Sequence, residues 1–258
     1  MNSIKKMMLS GALGCLISGM AYADGSSPQP VKPYWQDIQV VAVNKEKPRS
    51  SFMSYADRET ALTSRFEKSP YYSLLNGTWK FFFVDSYKDL PQNITDPSVN
   101  TSSWDDITVP GNWEVQGHGV AIYTNHGYEF KPKNPQPPLL PEANPVGVYR
   151  RDIEIPANWD NRDIYLHIGG AKSGLYVYLN GKEVGYSEDS KNPAEFLINK
   201  YLQPGKNVLT LKIFRWSTGS YLECQDFWRM SGIERDVFLW SQPKASICLL
   251  YTSPSPRD

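Results

Sequence analysis

Short runs of alternating apolar and polar residues, broken by Gly, Pro and Asn, recur along most of the chain. In Trp79-Lys80-Phe81-Phe82-Phe83-Val84, the residues Trp79, Phe81 and Phe83 share one face at period two. Ile107–Val109 follows and is ended by Pro110-Gly111; Val148–Ile155 is closed by Pro156. Asp163–Ile168 puts Ile164, Leu166 and Ile168 on one face, and Leu175–Leu179 repeats the pattern with Leu175, Val177 and Leu179. Asn180-Gly181 comes next, a strong hairpin signal because both central positions of that turn need positive φ. Lys182–Ser187 returns, Pro204-Gly205 turns into Asn207–Trp216 with Leu209, Leu211 and Ile213 alternating, and Arg235–Trp240 is the last full strand. About eight or more short strands with no long helix predict an antiparallel sandwich, and a jelly roll suits the size.

The flanks read differently. Lys5 and Lys6, the apolar run Met7–Met20 and Ala21-Tyr22-Ala23 form a signal peptide over residues 1–23, too short for a membrane anchor. It implies a periplasmic or secreted protein. A lipoprotein cut at Cys15 ranks second, because it would shorten the apolar region. Residues 24–64 read as an extended segment draped on something larger, with a helical turn or two over Asp57–Lys68. The sandwich is expected over 65–242, with 243–247 opening a further domain. Residues 248–258 resemble a translated sequencing adapter and are left out of the fold, which also implies that the gene continued. Cys224 is then the one cysteine left in the mature chain, so no internal disulfide is expected despite export.

The 258 residues carry 27 basic and 27 acidic side chains, a balance that argues against nucleic acid or an anionic membrane as main partner. There is no zinc-type His/Cys spacing, no phosphate-binding glycine loop and no Gly-x-Ser-x-Gly elbow. His118 and His126 sit in turns or polar loops; His167 alternates within a strand and reads as a surface or satisfied residue.

Two stretches stand apart. One runs from Pro110-Gly111-Asn112-Trp113-Glu114 through Tyr123-Thr124-Asn125-His126-Gly127-Tyr128 to Arg151. The other, Ser220–Val237, shows no helical period and little strand alternation, yet packs four acids, two arginines, an amide and a tryptophan together. Such charge must be solvated or paired. Aromatic faces beside carboxylates and amides suit sugars, whose C–H side stacks on rings and whose vicinal hydroxyls take bidentate bonds. The alternative is that Trp113, Trp216 and Trp228 are core and the charges are interstrand pairs.

The blocks Pro-Gly-Asn-Trp-Glu, Ile-Tyr-Thr-Asn, Asn-Pro-Val-Gly-Val-Tyr-Arg-Arg, Asn-Gly-Lys-Glu-Val-Gly-Tyr-Ser-Glu-Asp-Ser and Arg-Trp-Ser-Thr-Gly-Ser-Tyr-Leu-Glu-Cys-Gln-Asp-Phe-Trp-Arg-Met-Ser-Gly-Ile occur in this order. Together they resemble the amino-terminal sugar-binding domain of family-two β-galactosidases, over nearly all of Tyr34–Ala245. Enzymes acting on glucuronides or mannosides fit the Trp-Arg-Met-Ser-Gly loop less well.

The resemblance implies a jelly-roll (galactose-binding-domain-like) domain ahead of an immunoglobulin-like domain and a catalytic (β/α)₈ barrel. It also implies retaining hydrolysis by two barrel glutamates about 5 Å apart, neither of them in this chain. By motif, Asn125 and Asp226 would touch the galactosyl hydroxyls, and Asp226 would share a monovalent cation, sodium, with the barrel. Thr218 stands where some members carry a magnesium-binding aspartate, so a divalent ion, Mg2+ or Ca2+, finds no support at that position; Cys224 replaces a common acid. The rival readings are a free-standing carbohydrate-binding module and a family-two glycosidase of other specificity, such as a β-glucuronidase or β-mannosidase.

Overall fold

The computed structural model describes residues 32–125, 127–130, 134–223 and 226–247, which fall in one unit beginning at Lys32. The segment 1–23 expected to be a signal peptide, Cys15, His126, Cys224 and residues 248–258 lie outside the described residues.

Sixteen strands are present among the described residues: β1 (Ala42–Val43), β2 (Tyr72–Leu74), β3 (Gly77–Val84), β4 (Asp105–Val109), β5 (Gly111–Asn112), β6 (Ile122–Thr124), β7 (Val146–Glu154), β8 (Arg162–Ile168), β9 (Ala171–Lys172), β10 (Gly174–Leu179), β11 (Lys182–Ser187), β12 (Ala194–Leu197), β13 (Lys206–Phe214), β14 (Phe227–Arg229), β15 (Gly232–Ile233) and β16 (Val237–Pro243). The one α-helix among the described residues, α1 (Arg58–Leu62), has its first turn capped by the Asp57 carboxylate, which accepts from the Thr60 N–H. A seven-stranded sheet in the order β1-β11-β10-β13-β7-β3-β4 faces a four-stranded sheet in the order β12-β8-β16-β2, every pair antiparallel. The fold is the expected all-β jelly-roll sandwich.

The period-two pattern decides which side chains fill the layer between the sheets. Trp79 and Phe81 on β3, Leu175, Val177 and Leu179 on β10, and Leu209, Leu211 and Ile213 on β13 meet Ile164, Leu166 and Ile168 on β8 and Leu239 on β16. Each such side chain, fully buried, contributes roughly 1.5–3 kcal/mol. The predicted hairpin is present: Asn180 and Gly181 take φ of 53° and 77° between β10 and β11. Gly147 is needed for another reason. A Cβ there would sit 2.6 Å from the Trp113 ring and 2.7 Å from that of Phe81, so the indole lies directly on the β7 backbone.

The outer faces of both sheets are also covered. Tyr176 and Tyr178, which alternate with the inward leucines of β10, pack with Trp35, Trp104, Val146, Val148 and Phe214 under the segments 34–36 and 86–104. On the other side, Phe238 and Trp240 are covered by Met53, Tyr55 and Phe66. The segment between runs along the edge, where Ala42–Val43 pairs with β11.

Three differences from the sequence reading have physical causes. The final strand starts at Val237 and not at Arg235, because the Arg235 guanidinium turns aside to donate to the Lys191 carbonyl at 2.6 Å and the Asp236 carboxylate accepts from Asn76 at 2.8 Å. β12 was not expected; its Ala194 and Phe196 alternate with Glu195, a pattern too short to stand out. The stretch Ser220–Val237 is not structureless, since it contains β14 and β15.

Glu195 ties the lead-in to the sandwich. It accepts from the Arg49 guanidinium at 2.9 and 3.0 Å and from the Trp240 indole at 3.1 Å, and it pairs with His167 Nδ1 at 2.8 Å. Arg49 also lies 4.1 Å above the Trp240 ring. Burial alone would raise the Glu195 carboxyl, but the His167 hydrogen bond and the Arg49 charge outweigh it and hold it below the ordinary value. A carboxyl whose folded pKa is depressed contributes stability above its unfolded value and loses it as pH falls through the folded one. Arg49→Ala is therefore expected to cost about 1.5–3 kcal/mol near neutrality. The gap between wild-type and variant melting temperatures should close as pH drops below 4.5, the ordinary glutamate value. A gap that stays constant down to acid pH would remove Glu195 from the clasp.

Candidate functional site

The two chemically dense stretches meet at one rim of the sandwich and are zipped together by short strands. β15 pairs with both β5 and β9, and β14 pairs with β6. Gly232 takes φ of 118°, and a Cβ on it would lie 2.8 Å from the Gly111 carbonyl, so the backbones approach as closely as they can.

Beneath these strands the charges are paired, as their density required. Glu114, with no exposed side-chain surface, accepts from the Ser231 N–H at 2.9 and 3.0 Å and faces Arg215 Nη1 at 3.7 Å. Arg215 in turn donates to the carbonyls of Val120 at 2.8 Å and Arg229 at 3.2 Å. Glu129 accepts from the Trp216 indole at 2.9 Å and faces Arg229 Nε at 3.6 Å, a contact too long for a hydrogen bond. Arg229 is 2% exposed, and its Nε and Nη1 make no hydrogen bond. Burial raises the Glu114 carboxyl, opposed by the Ser231 N–H and by Arg215. Asn144, fully buried, exchanges two hydrogen bonds with the Trp216 backbone at 2.8 and 3.0 Å and fixes where the second stretch leaves β13. Lys172 is buried under the ribbon, its Nζ 5.0 Å from the Phe227 ring, and burial pushes its amine down.

Further along, Glu188 is buried behind the turn Thr218–Tyr221. It accepts from the Tyr186 hydroxyl at 2.7 Å, the Thr218 hydroxyl at 2.9 Å and the Gly219 N–H at 2.6 Å. Burial raises its carboxyl. The Thr218 hydroxyl is thus engaged within the fold, and the position offers no carboxylate to a divalent ion.

The β6/β14 ribbon carries the two residues expected to contact a ligand. In register, Phe227 faces Thr124, Trp228 faces Tyr123 and Arg229 faces Ile122, so Asn125 and Asp226 sit one step beyond the last pair, side by side. Alternation sorts the ribbon into two faces. Tyr123, Asn125, Asp226 and Trp228 are exposed, whereas Ile122, Thr124 and Phe227 are half-buried and Arg229 is buried. The Tyr123 hydroxyl donates to Asp226 Oδ1 at 3.0 Å, and that carboxylate raises the phenol above its ordinary value. The Tyr123 and Trp228 rings meet edge to face at 5.6 Å.

Of the three tryptophans left open between core and binding roles, Trp113 is fully buried, Trp216 is half-buried on Glu129, and Trp228 is 51% exposed. His167 is held by Glu195 and stacked on Phe238 at 4.1 Å, and His118 packs edge-on to Phe81 at 4.8 Å; neither is on the ribbon. Sequence reasoning left Trp228 open between binding and core and did not pair Tyr123 with it or with Asp226. The signal was present in Ile-Tyr-Thr-Asn and Asp-Phe-Trp-Arg, whose alternate residues share a face once the two are paired. Among the described residues, no cluster of three or more His, Cys, Asp or Glu is placed to hold a metal ion, and no helix is long and apolar enough to cross a membrane.

Fold and rim together define a jelly-roll domain with a polar and aromatic ribbon exposed at one edge. Residues 72–243 match the family described as glycosyl hydrolases family 2, sugar binding domain, and the chain belongs to that family. Among curated relatives it is 40% identical over 218 residues to a β-galactosidase of Priestia megaterium, covering 83% of this chain and 21% of that protein. It is 41% identical over 206 residues to a β-galactosidase of Actinobacillus pleuropneumoniae, covering 80% of this chain and 20% of that one. The chain thus spans about a fifth of the length of these relatives. Among solved structures, Bacteroides uniformis β-glucuronidase 2, covalently bound to cyclophellitol-6-carboxylate aziridine, superposes with a TM-score of 0.51 at 25% identity. The superposition covers 67% of this chain and 18% of that one.

The Glu114–Arg215 pair is expected to govern the rim's stability. Glu114→Ala leaves a buried guanidinium uncompensated and should lower unfolding free energy by about 3–5 kcal/mol in urea titrations. Glu114→Ala that unfolds at the wild-type urea concentration would mean that the pair does not hold the rim.

Proposed function

We propose that this chain is the sugar-binding part of an exported β-galactosidase that hydrolyses terminal non-reducing β-D-galactosides with retention. The observation that carries the reading is the placement of Asn125 and Asp226 side by side on the exposed ribbon face. The relatives at 37–41% identity support galactosides over the glucuronides of the structural neighbour at 25%.

In this reading the chain performs no bond cleavage. The reactive carboxyls belong to a (β/α)₈ barrel that follows an immunoglobulin-like domain in the parent enzyme. Asp226 accepts hydrogen bonds from galactosyl hydroxyls, and Asn125 supplies an amide that both donates and accepts. Because a buried sugar hydroxyl left unpaired is costly, these two groups discriminate among epimers as well as bind. Asp226 also fits a shared monovalent ion. It is a single exposed carboxylate at the rim, suited to one coordination position, with the remaining oxygens coming from the barrel. Sodium bound there would neutralise the carboxylate and fix its orientation toward the sugar. No divalent site is proposed at Thr218. The basic start, apolar run and Ala21-Tyr22-Ala23 support a periplasmic or secreted location.

In the full-length enzyme, Asp226→Ala is expected to raise KM for a chromogenic β-galactoside about ten- to a hundredfold and to weaken sodium activation with it. The 258-residue chain alone should give no turnover. Unchanged KM and unchanged sodium response in Asp226→Ala would overturn the site, and faster hydrolysis of the matching glucuronide by wild type would overturn the specificity.

A further inference from the structure

The ribbon face holds one polar contact that sugar recognition by Asn125 and Asp226 does not use, the hydrogen bond from the Tyr123 hydroxyl to Asp226 Oδ1 at 3.0 Å. Both partners are exposed, Tyr123 at 57%, so the bond adds little to folding stability. Its geometry is nevertheless built by the fold. Tyr123 lies directly across from Trp228, and the edge-to-face contact of their rings at 5.6 Å restricts the phenol's rotation. Asp226 lies two residues before Trp228 and on the same face, which puts its carboxylate diagonally opposite the phenol. Inward, Arg229 and Phe227 anchor the same strand among buried groups. A carboxylate on a short side chain at the end of a strand otherwise has freedom about two bonds. A donor held in place by its own cross-strand neighbour removes that freedom at one oxygen of an exposed carboxylate.

From this arrangement we infer that Tyr123 is a positioning residue for Asp226, holding one carboxylate oxygen so that the other meets the sugar at a fixed angle. The inference rests on the reading of Asp226 as a sugar-binding residue. It assigns Tyr123 a role in binding through Asp226, with Trp228 as the support that keeps the phenol in place. Pre-organisation of this kind affects substrate affinity more than the rate of the chemical step, which takes place on other groups.

The test is a double-mutant cycle in the full-length enzyme with Tyr123→Phe, Asp226→Ala and the pair. Tyr123→Phe keeps the ring and its contact with Trp228 and removes only the hydroxyl. It is expected to raise KM for a chromogenic β-galactoside, and the inhibition constant of free galactose, about three- to tenfold. The turnover number and melting temperature should stay at wild-type values. In the Asp226→Ala background the same change should have no further effect. If Asp226→Ala raises KM while Tyr123→Phe leaves it at the wild-type value, the positioning role is wrong and the sugar site stands. If Tyr123→Phe weakens binding by the same factor in both backgrounds, or lowers the melting temperature with it, Tyr123 acts independently or structurally and the inference fails. If Asp226→Ala itself leaves KM unchanged, both readings fail together.

Discussion

Two carboxylate–guanidinium pairs with almost no access to water hold the rim of this sandwich, and Arg229 of one of them belongs to the exposed ribbon itself. Glu114–Arg215 and Glu129–Arg229 each join the stretch before β7 to the stretch after β13. Of the four residues only Arg229 lies in a strand, β14. The pairs do what a sheet ladder does elsewhere, fixing two otherwise irregular segments at a set separation. Buried ion pairs are poor sources of net stability, because desolvation offsets most of the attraction. Their value is in specificity: with one partner misplaced, a charge is stranded, so only one arrangement of the two loops is tolerated. The contacts of 3.6 and 3.7 Å are loose for hydrogen bonds; the Ser231 N–H on Glu114 and the Val120 carbonyl on Arg215 complete one pair, whereas Arg229 Nε and Nη1 stay without a hydrogen bond.

A rim of this kind needs a rigid base, and the base is unusually well covered. In an ordinary antiparallel sandwich one face of each sheet meets water. Here the lead-in crosses both outer faces, seating Trp35 against Tyr176 and Phe214 on one and Met53 against Phe238 and Trp240 on the other. The strands consequently bury both alternating sets, as β10 does at all six positions. Such strands have little freedom to slip in register, since either face would lose its packing. The loops that leave β7 and β13 therefore start from fixed points.

Much of this was legible in the sequence, and the boundary of legibility is physical. Strands of five or more residues with leucine or isoleucine on alternate positions, such as β8, β10 and β13, identify themselves, and Asn180-Gly181 marks its own turn. Asn125 and Asp226 stood out by motif. The ribbon that unites them did not, because three-residue strands carry barely one period of alternation and become regular only by pairing with each other across 103 residues of separation between Tyr123 and Asp226. The same limit hid β12, β14 and β15. The partners of the buried charges were invisible for a related reason: the density of charge in Ser220–Val237 says that Arg229 must be solvated or paired, but only the path of the chain brings Glu129 to it.

The exposed face of the ribbon poses a question of energetics. Tyr123 at 57% and Trp228 at 51% exposure place large rings in water beside a carboxylate and an amide, on a domain whose remaining tryptophans are mostly sealed away. Exposed rings are costly to solvation, and a domain selected only to fold would turn them inward, as it does with Trp79, Trp113 and Trp159. The ribbon cannot do so, because its inner face is already committed to Arg229 and Phe227 over Lys172. Period two then forces the next residues outward, and what is forced outward is the set of groups proposed above to meet a sugar. The buried charge on one face and the exposed polar and aromatic groups on the other are two sides of the same four-residue pattern. A substitution that relaxes the inner face, by neutralising Arg229 or shrinking Phe227, alters the outer one without touching any residue on it.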